Sequence, residues 1–155
     1  MMARWGLACL AVMAASCFGQ AGAEPGGPGG DGPAYPISGS WTFVSFTGDA
    51  CEFGGVARLG LRNDDGTYPC ELTAQQVCPI DNVEWVVRQS CVATRTGNQL
   101  VIRSTIEEFL VGEPTPSYWP DNFVLKVKSS DFMAGSLISH GAHATQFKRE
   151  VEGIS

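Results

Sequence analysis

Positive charge is scarce in this chain. Ten Lys and Arg stand against sixteen Asp and Glu, for a net charge of −6. A nucleic-acid surface needs basic side chains to neutralise phosphates, and an anionic membrane surface attracts the same residues, so neither partner fits. Histidine is scarcer still, with only His140 and His143. Their His-x-x-His spacing supplies two potential metal ligands, but a functional site wants a third, and none is marked. A Ser-His-Asp triad would have to use one of the same two rings, and no Gly-x-Ser-x-Gly singles out a serine. Cys-x-x-Cys, the usual redox dithiol, is absent. So is any glycine loop with the spacing of a phosphate cradle, and Gly54-Gly55 reads instead as a bulge or tight corner. The paired carboxylates Asp64-Asp65 and Glu107-Glu108 do not converge, because neighbours on a strand point to opposite faces, whereas acid–base work needs two carboxylates on one substrate. Asp64-Asp65 reads as a turn and Glu107-Glu108 as a solvated strand end. The expectation is a protein that is not an enzyme and holds no cofactor and no metal.

Long apolar runs are also missing. A helical span takes about 20 apolar residues, and the one candidate, Trp5 to Phe18, falls short. It follows a weakly basic start, Met1 to Arg4, and precedes the small residues Ala21-Gly22-Ala23. That is the pattern of a secretory signal peptide over residues 1–23, leaving a mature chain from Glu24. Loss of Arg4 takes the net charge from −6 to −7. Within the same run, Met13-Ala14-Ala15-Ser16-Cys17 resembles a bacterial lipoprotein processing site, although Ala14 stands where such sites usually carry Leu. The expected location is the periplasm or the medium. A membrane-anchored lipoprotein lipidated at Cys17 is the alternative.

Export decides the chemistry of the remaining cysteines, Cys51, Cys70, Cys78 and Cys91, because disulfides form and persist outside the cytosol. Their spacings of 19, 8 and 13 residues do not suit a zinc site, and neither histidine is near. Two structural disulfides follow, with three possible pairings.

Residues 24–38 open with EPGGPGGDGPAYP, in which glycine and proline dominate and almost nothing can be buried. This stretch reads as a disordered linker. From Gly39 to residue 152 the pattern is β, in one domain. Strands are expected at Trp41–Thr47, Val56–Arg62, around Tyr68–Leu72, at Val83–Thr94, Gln99–Ile106, Phe123–Lys128, Phe132–Ser139 and Ala144–Val151, with turn residues between them. Pro69 suggests a strand end or an unpaired edge, and Thr73 could cap one helical turn over Ala74–Val77. About eight short strands suggest an all-β fold, an eight-stranded antiparallel up-and-down barrel, or alternatively a β-sandwich.

The meander also bears on the disulfides. A hairpin centred on Asn63–Gly66 puts Cys51 opposite residue 79, beside Cys78. One centred near Ile80-Asp81 puts Cys70 opposite Cys91. Opposed residues are close enough to bridge, which favours Cys51–Cys78 with Cys70–Cys91. A slip of one residue would leave Cys70–Cys78 with Cys51–Cys91 as the competing arrangement.

Gly39-Ser40-Trp41 at the first strand, eight strands, and Arg149 near the end of the last resemble the lipocalin-type (calycin) barrels. In that superfamily a Gly-x-Trp opens the barrel and a late basic residue packs over the tryptophan. The layout is also similar to that of bacterial secreted metalloprotease inhibitors, small exported barrels opening on Gly-x-Trp that plug a protease with an N-terminal tail.

An eight-stranded barrel either fills its interior with side chains or holds one small ligand. The expected interior comprises Trp41, Phe43, Trp85, Val87, Leu100, Ile102, Phe123, Leu125, Met133 and Leu137. The stretch GEPTPSYWPDN, 112–122, is long for a hairpin loop and carries three prolines. It presents Tyr118 and Trp119 as surface aromatics of the kind that anchor partners, unless Trp119 folds back to plug the barrel. The leading expectation is a non-catalytic exported bacterial barrel for a small apolar ligand. The alternative is a protein-facing envelope module, a protease inhibitor or accessory lipoprotein, acting through its loops or its tail.

Overall fold

The computed structural model describes residues 34–48 and 50–151. The expected signal peptide, Cys17, most of the linker and residue 152 lie outside them. The described residues belong to the unit Asp31–Ser155.

They form eight strands, β1 (Gly39–Phe46), β2 (Glu52–Leu59), β3 (Thr67–Cys78), β4 (Val83–Thr96), β5 (Gln99–Val111), β6 (Asn122–Val127), β7 (Phe132–Ile138) and β8 (Ala142–Arg149). Each pairs antiparallel with the next, and β8 returns to β1 to close a barrel. The fold is all-β, without a helix among the described residues, and the sandwich alternative is excluded by closure. The disulfides are Cys51–Cys78 and Cys70–Cys91. Cys70 and Cys91 are direct partners in the β3–β4 ladder, and Cys51 lies one step beyond the Glu52–Val77 pair of β2 and β3.

Period-two alternation sends one face of each strand inward. Trp41, Phe43, Val87, Leu100, Ile102, Phe123, Leu125, Met133 and Leu137 are buried as expected. Phe43 stacks on Phe147 at 5.1 Å and meets Phe123 edge-on at 5.2 Å. Phe123 and Phe147 meet edge-on at 5.1 Å. The middle of the barrel is therefore packed with aromatic rings, the filled form open to an eight-stranded barrel. The inward-facing hydroxyls of Ser45 and Thr145 satisfy each other, with Ser45 donating to Thr145 Oγ1 at 2.8 Å and Thr145 donating to the Val44 carbonyl at 3.0 Å.

The helical turn expected at Thr73–Val77 is absent, because those residues continue β3. Ala74 pairs with Gly55 on one side and Val87 on the other. A single capped turn cannot compete with two ladders, since helix nucleation is unfavourable. Nor do Gly54 and Gly55 form a bulge. They keep register with both β1 and β3, and a Cβ on Gly55 would sit 2.1 Å from the Thr73 carbonyl oxygen. They allow close approach of backbones, whereas the register shifts lie in the β4–β5 pair, at Val86/Val87 and Arg88/Gln89. β5 runs on to Val111, so Glu107 and Glu108 are strand residues rather than a strand end. Glu108 pairs with Arg88 at 2.8 Å, and Ser90 donates to Glu107.

Pro69 is inside β3, opposite Val92, and not at an edge. Gly60 donates to the Pro69 carbonyl at 2.7 Å, but proline has no N–H to return the bond. The Ser38 hydroxyl takes its place, donating to the Gly60 carbonyl at 2.7 Å. Replacing Ser38 with Ala should cost about 1 kcal/mol, the net worth of one such bond. Chemical denaturation would show it, and an unchanged midpoint would mean that water serves the carbonyl equally well.

That serine belongs to a stretch expected to be linker. Tyr35 to Ser38 is instead tied to the barrel end: Ile37 is only 2% exposed, and its carbonyl accepts the Trp41 indole N–H at 2.8 Å. Arg149 lies over the Trp41 ring, 4.2 Å from its centroid, and donates to the carbonyls of Pro36, Ser38 and Ser130. Gly39 has φ +125, and a Cβ there would meet Arg149 Nη1 at 2.6 Å, so glycine suits the position on both counts. Tryptophan, arginine and this segment together close one end of the barrel.

Candidate functional site

The other end is open, and a cleft of about 340 Å³ lies there. Its walls come from several elements: Cys51 and Phe53 before and within β2, Trp85 at the rim of β4, Leu137 at the end of β7, and the connections between strands. The connection between β5 and β6 matters most. β5 pairs with β6 only through Ile102, and beyond that point the loop folds back over the strand. Tyr118 packs edge-on against Phe109 at 5.6 Å and against Trp85 at 6.1 Å.

The two aromatics of this loop part company. Trp119 is 51% exposed, as expected, and lies across His140 with ring centroids 4.2 Å apart. Tyr118, expected at the surface, is 8% exposed. It turns inward because its phenol finds a buried acceptor, so Tyr118, and not Trp119, covers the barrel mouth. Trp85 is corrected in the opposite sense. It shares the inward parity of Val87 and Gln89 but stands at the rim, half-buried, and lines the cleft rather than the core.

The cleft floor is polar, and the sequence reading missed it. Gln89 and Asp121 are both buried, and Asp121 is 1% exposed. Gln89 Oε1 accepts the Asp121 backbone N–H at 2.9 Å, and Gln89 Nε2 donates to Asp121 Oδ2. The Tyr118 hydroxyl donates to the same oxygen at 3.0 Å. Burial pushes the Asp121 carboxyl up to about 6, and the bonds from Gln89 and Tyr118 only partly offset that. Burial, with the Asp121 charge and hydrogen bond behind it, holds the Tyr118 phenol well above its usual value, so it remains a donor. One signal for Gln89 was visible: a polar residue in the inward row Trp85, Val87, Gln89, Cys91. Asp121, in a loop, carried none.

The sign of the Asp121 shift makes a prediction. A carboxyl whose folded pKa is raised contributes stability that is present below its unfolded value, 3.8, and lost as pH rises through about 6. Asp121→Asn keeps an acceptor for Gln89 and Tyr118 but never charges. It should be more stable than the parent at pH 8, by on the order of 2 kcal/mol, and equal to it near pH 4. Urea denaturation at the two pH values checks this, and a variant less stable at pH 8 would contradict it.

His140 and His143 both line the cleft. His140 donates from Nε2 to the Ser117 carbonyl oxygen, which holds the β7–β8 turn against the loop. Among the described residues no group of three His, Cys, Asp or Glu could hold a metal ion. A second depression, about 600 Å³, lies outside the β1–β2 turn against the half-exposed Val44 and Phe46. The buried polar residue of its described lining, Ser45, already donates to Thr145 Oγ1, which leaves the mouth cleft, with its buried carboxylate, as the better-formed site.

The chain matches no protein-family model and no curated protein. Among solved structures it is similar to a chain from the de novo design of a fluorescence-activating beta barrel. That likeness has a TM-score of 0.50 and 18% identity, and covers 74% of this chain and 94% of the other. At this identity the likeness concerns the fold.

Proposed function

We propose that this is a non-catalytic binding barrel that takes a small, largely apolar ligand in its mouth cleft, not in the barrel interior. The observation that carries the reading is the cleft itself, walled by Trp85, Tyr118 and Trp119 over a hydrogen-bonded polar floor. Its volume of about 340 Å³ falls at the small end of ligand pockets, and aromatic walls with a few placed polar groups are their usual lining. The aromatic packing at the barrel centre argues against an interior site. Two disulfides favour an exported protein, in the periplasm or the medium. The Trp41–Arg149 contact supports kinship with lipocalin-type barrels.

A saturable rise in fluorescence of the neutral probe N-phenyl-1-naphthylamine tests the reading. Trp119→Ala should weaken that binding about tenfold, the order expected for an aromatic anchor, and should hardly move Tm. Absence of saturable binding, or binding indifferent to Trp119, would sink it. A second reading, a protein-facing module, draws on the exposure of Trp119. It requires a partner whose capture depends on Trp119 while the probe does not bind.

A further inference from the structure

We infer that the ligand of the mouth cleft is an organic cation, a protonated amine on an apolar or aromatic body, with Asp121 Oδ1 as its acceptor. This rests on the cleft being a binding site. Asp121 is almost wholly buried yet lines the cleft. Both of its side-chain hydrogen bonds, from Gln89 and from Tyr118, fall on Oδ2. Oδ1 takes no hydrogen bond from a described residue. Gln89 also holds the Asp121 backbone N–H, so the carboxylate is fixed in position from two sides. No described Lys or Arg lines the cleft, and the ion pair of the described residues, Arg88–Glu108, is elsewhere on β4 and β5. A buried carboxylate with no cation is costly unless something pairs it.

The walls fit the same ligand. Trp85, Tyr118 and Trp119 supply aromatic faces, which attract cations through the ring quadrupole. Asp81, a second carboxylate of the described lining, has the same sign. A neutral apolar molecule would use the walls but leave Oδ1 unmatched, and an anion would face two carboxylates.

Three probes of one shape separate the cases: 2-phenylethylamine, 2-phenylethanol and 3-phenylpropionate, titrated by tryptophan fluorescence into the disulfide-intact protein. At pH 8 the amine should bind at least tenfold tighter than the other two, on the order of one desolvated cation–carboxylate contact. The Asp121→Asn variant should lose that preference. Between pH 8 and pH 5 the amine should weaken by about tenfold as Asp121 takes up its proton, while the alcohol changes little. The other titratable groups of the described cleft lining are Tyr118 on the same loop as Asp121, Asp81 between β3 and β4, His140 in the β7–β8 turn and His143 in β8. The pH series is therefore repeated in His140→Gln/His143→Gln, where the fall should persist.

Equal or tighter binding of the alcohol or the acid would overturn the assignment, as would a preference that survives Asp121→Asn. If that variant fails to fold, the pH series on the parent decides, and a flat profile for the amine overturns the proposal. The binding-site reading fails separately, and only if N-phenyl-1-naphthylamine shows no Trp119-dependent binding.

Discussion

Replacing Cys51, Cys70, Cys78 and Cys91 together with alanine should remove most of the folding free energy of this domain. The bridges close segments with sequence separations of 27 and 21 residues. Loop-closure entropy for segments of this size corresponds to about 3 kcal/mol per bridge. Together that is roughly 6 kcal/mol, against about 5–15 kcal/mol for a whole domain. The two bridges tie β2 to β3 and β3 to β4, so together they hold three consecutive strands in register. Losing them leaves the barrel to be closed by non-local pairing alone, including the β1–β8 seam. Urea denaturation of the oxidised parent and the four-alanine variant measures the difference. A loss below 1 kcal/mol would mean that the ladders hold the register unaided. The Cys70–Cys91 pair alone should account for about half the effect, since it sits within a ladder already aligned.

Phe43→Ala should cost about 3–5 kcal/mol, the range for removing a buried ring from a packed core. Phe43 contacts three other rings: Phe53 at 6.1 Å, Phe123 at 5.2 Å and Phe147 at 5.1 Å. Those rings come from three different strands, β2, β6 and β8, so collapse around the vacancy would have to move several strands that the closed ladder holds. The space should therefore persist and stay dry, because its walls are apolar. Saturating benzene should then raise the Tm of Phe43→Ala and leave that of the parent unchanged. Benzene stabilising the parent as strongly would show that its interior already has room for a ligand, and would move the candidate site from the mouth to the core. The same experiment thus bears on function: in this barrel the interior is structure, and binding is left to the mouth.

Much of the molecule was legible from residue order. Alternation along Trp41-Thr42-Phe43, along Leu100-Val101-Ile102 and along Phe123-Val124-Leu125 announced strands and their inward faces. Hairpin centres at Asn63–Gly66 and near Ile80-Asp81 were placed closely enough to favour the observed disulfides. These are local properties, carried by side-chain polarity with a period of two and by short turns. The errors came where neighbours in space overruled local preference. Thr73–Val77 was offered a capped helical turn, but two flanking strands offered more hydrogen bonds. Pro69 looked like an edge, yet Ser38, 31 positions earlier in the numbering, supplies the donor that proline lacks.

The sequence by itself determined the fold class, the disulfide framework and the aromatic interior, because these follow from polarity patterns and meander spacing, while the meeting of Trp41 with Arg149 was implied by the resemblance to lipocalin-type barrels. Only the tertiary structure decided what lies at the open end. Which way Tyr118 points depends on Asp121, three residues on, and Asp121 is held by Gln89, which lies 32 positions away. Trp85 becomes a wall rather than core because the barrel ends just beyond it. A buried carboxylate takes its character from desolvation and from partners brought by other strands. No window of the sequence contains those, so the polar floor of the cleft appears only once the barrel has closed.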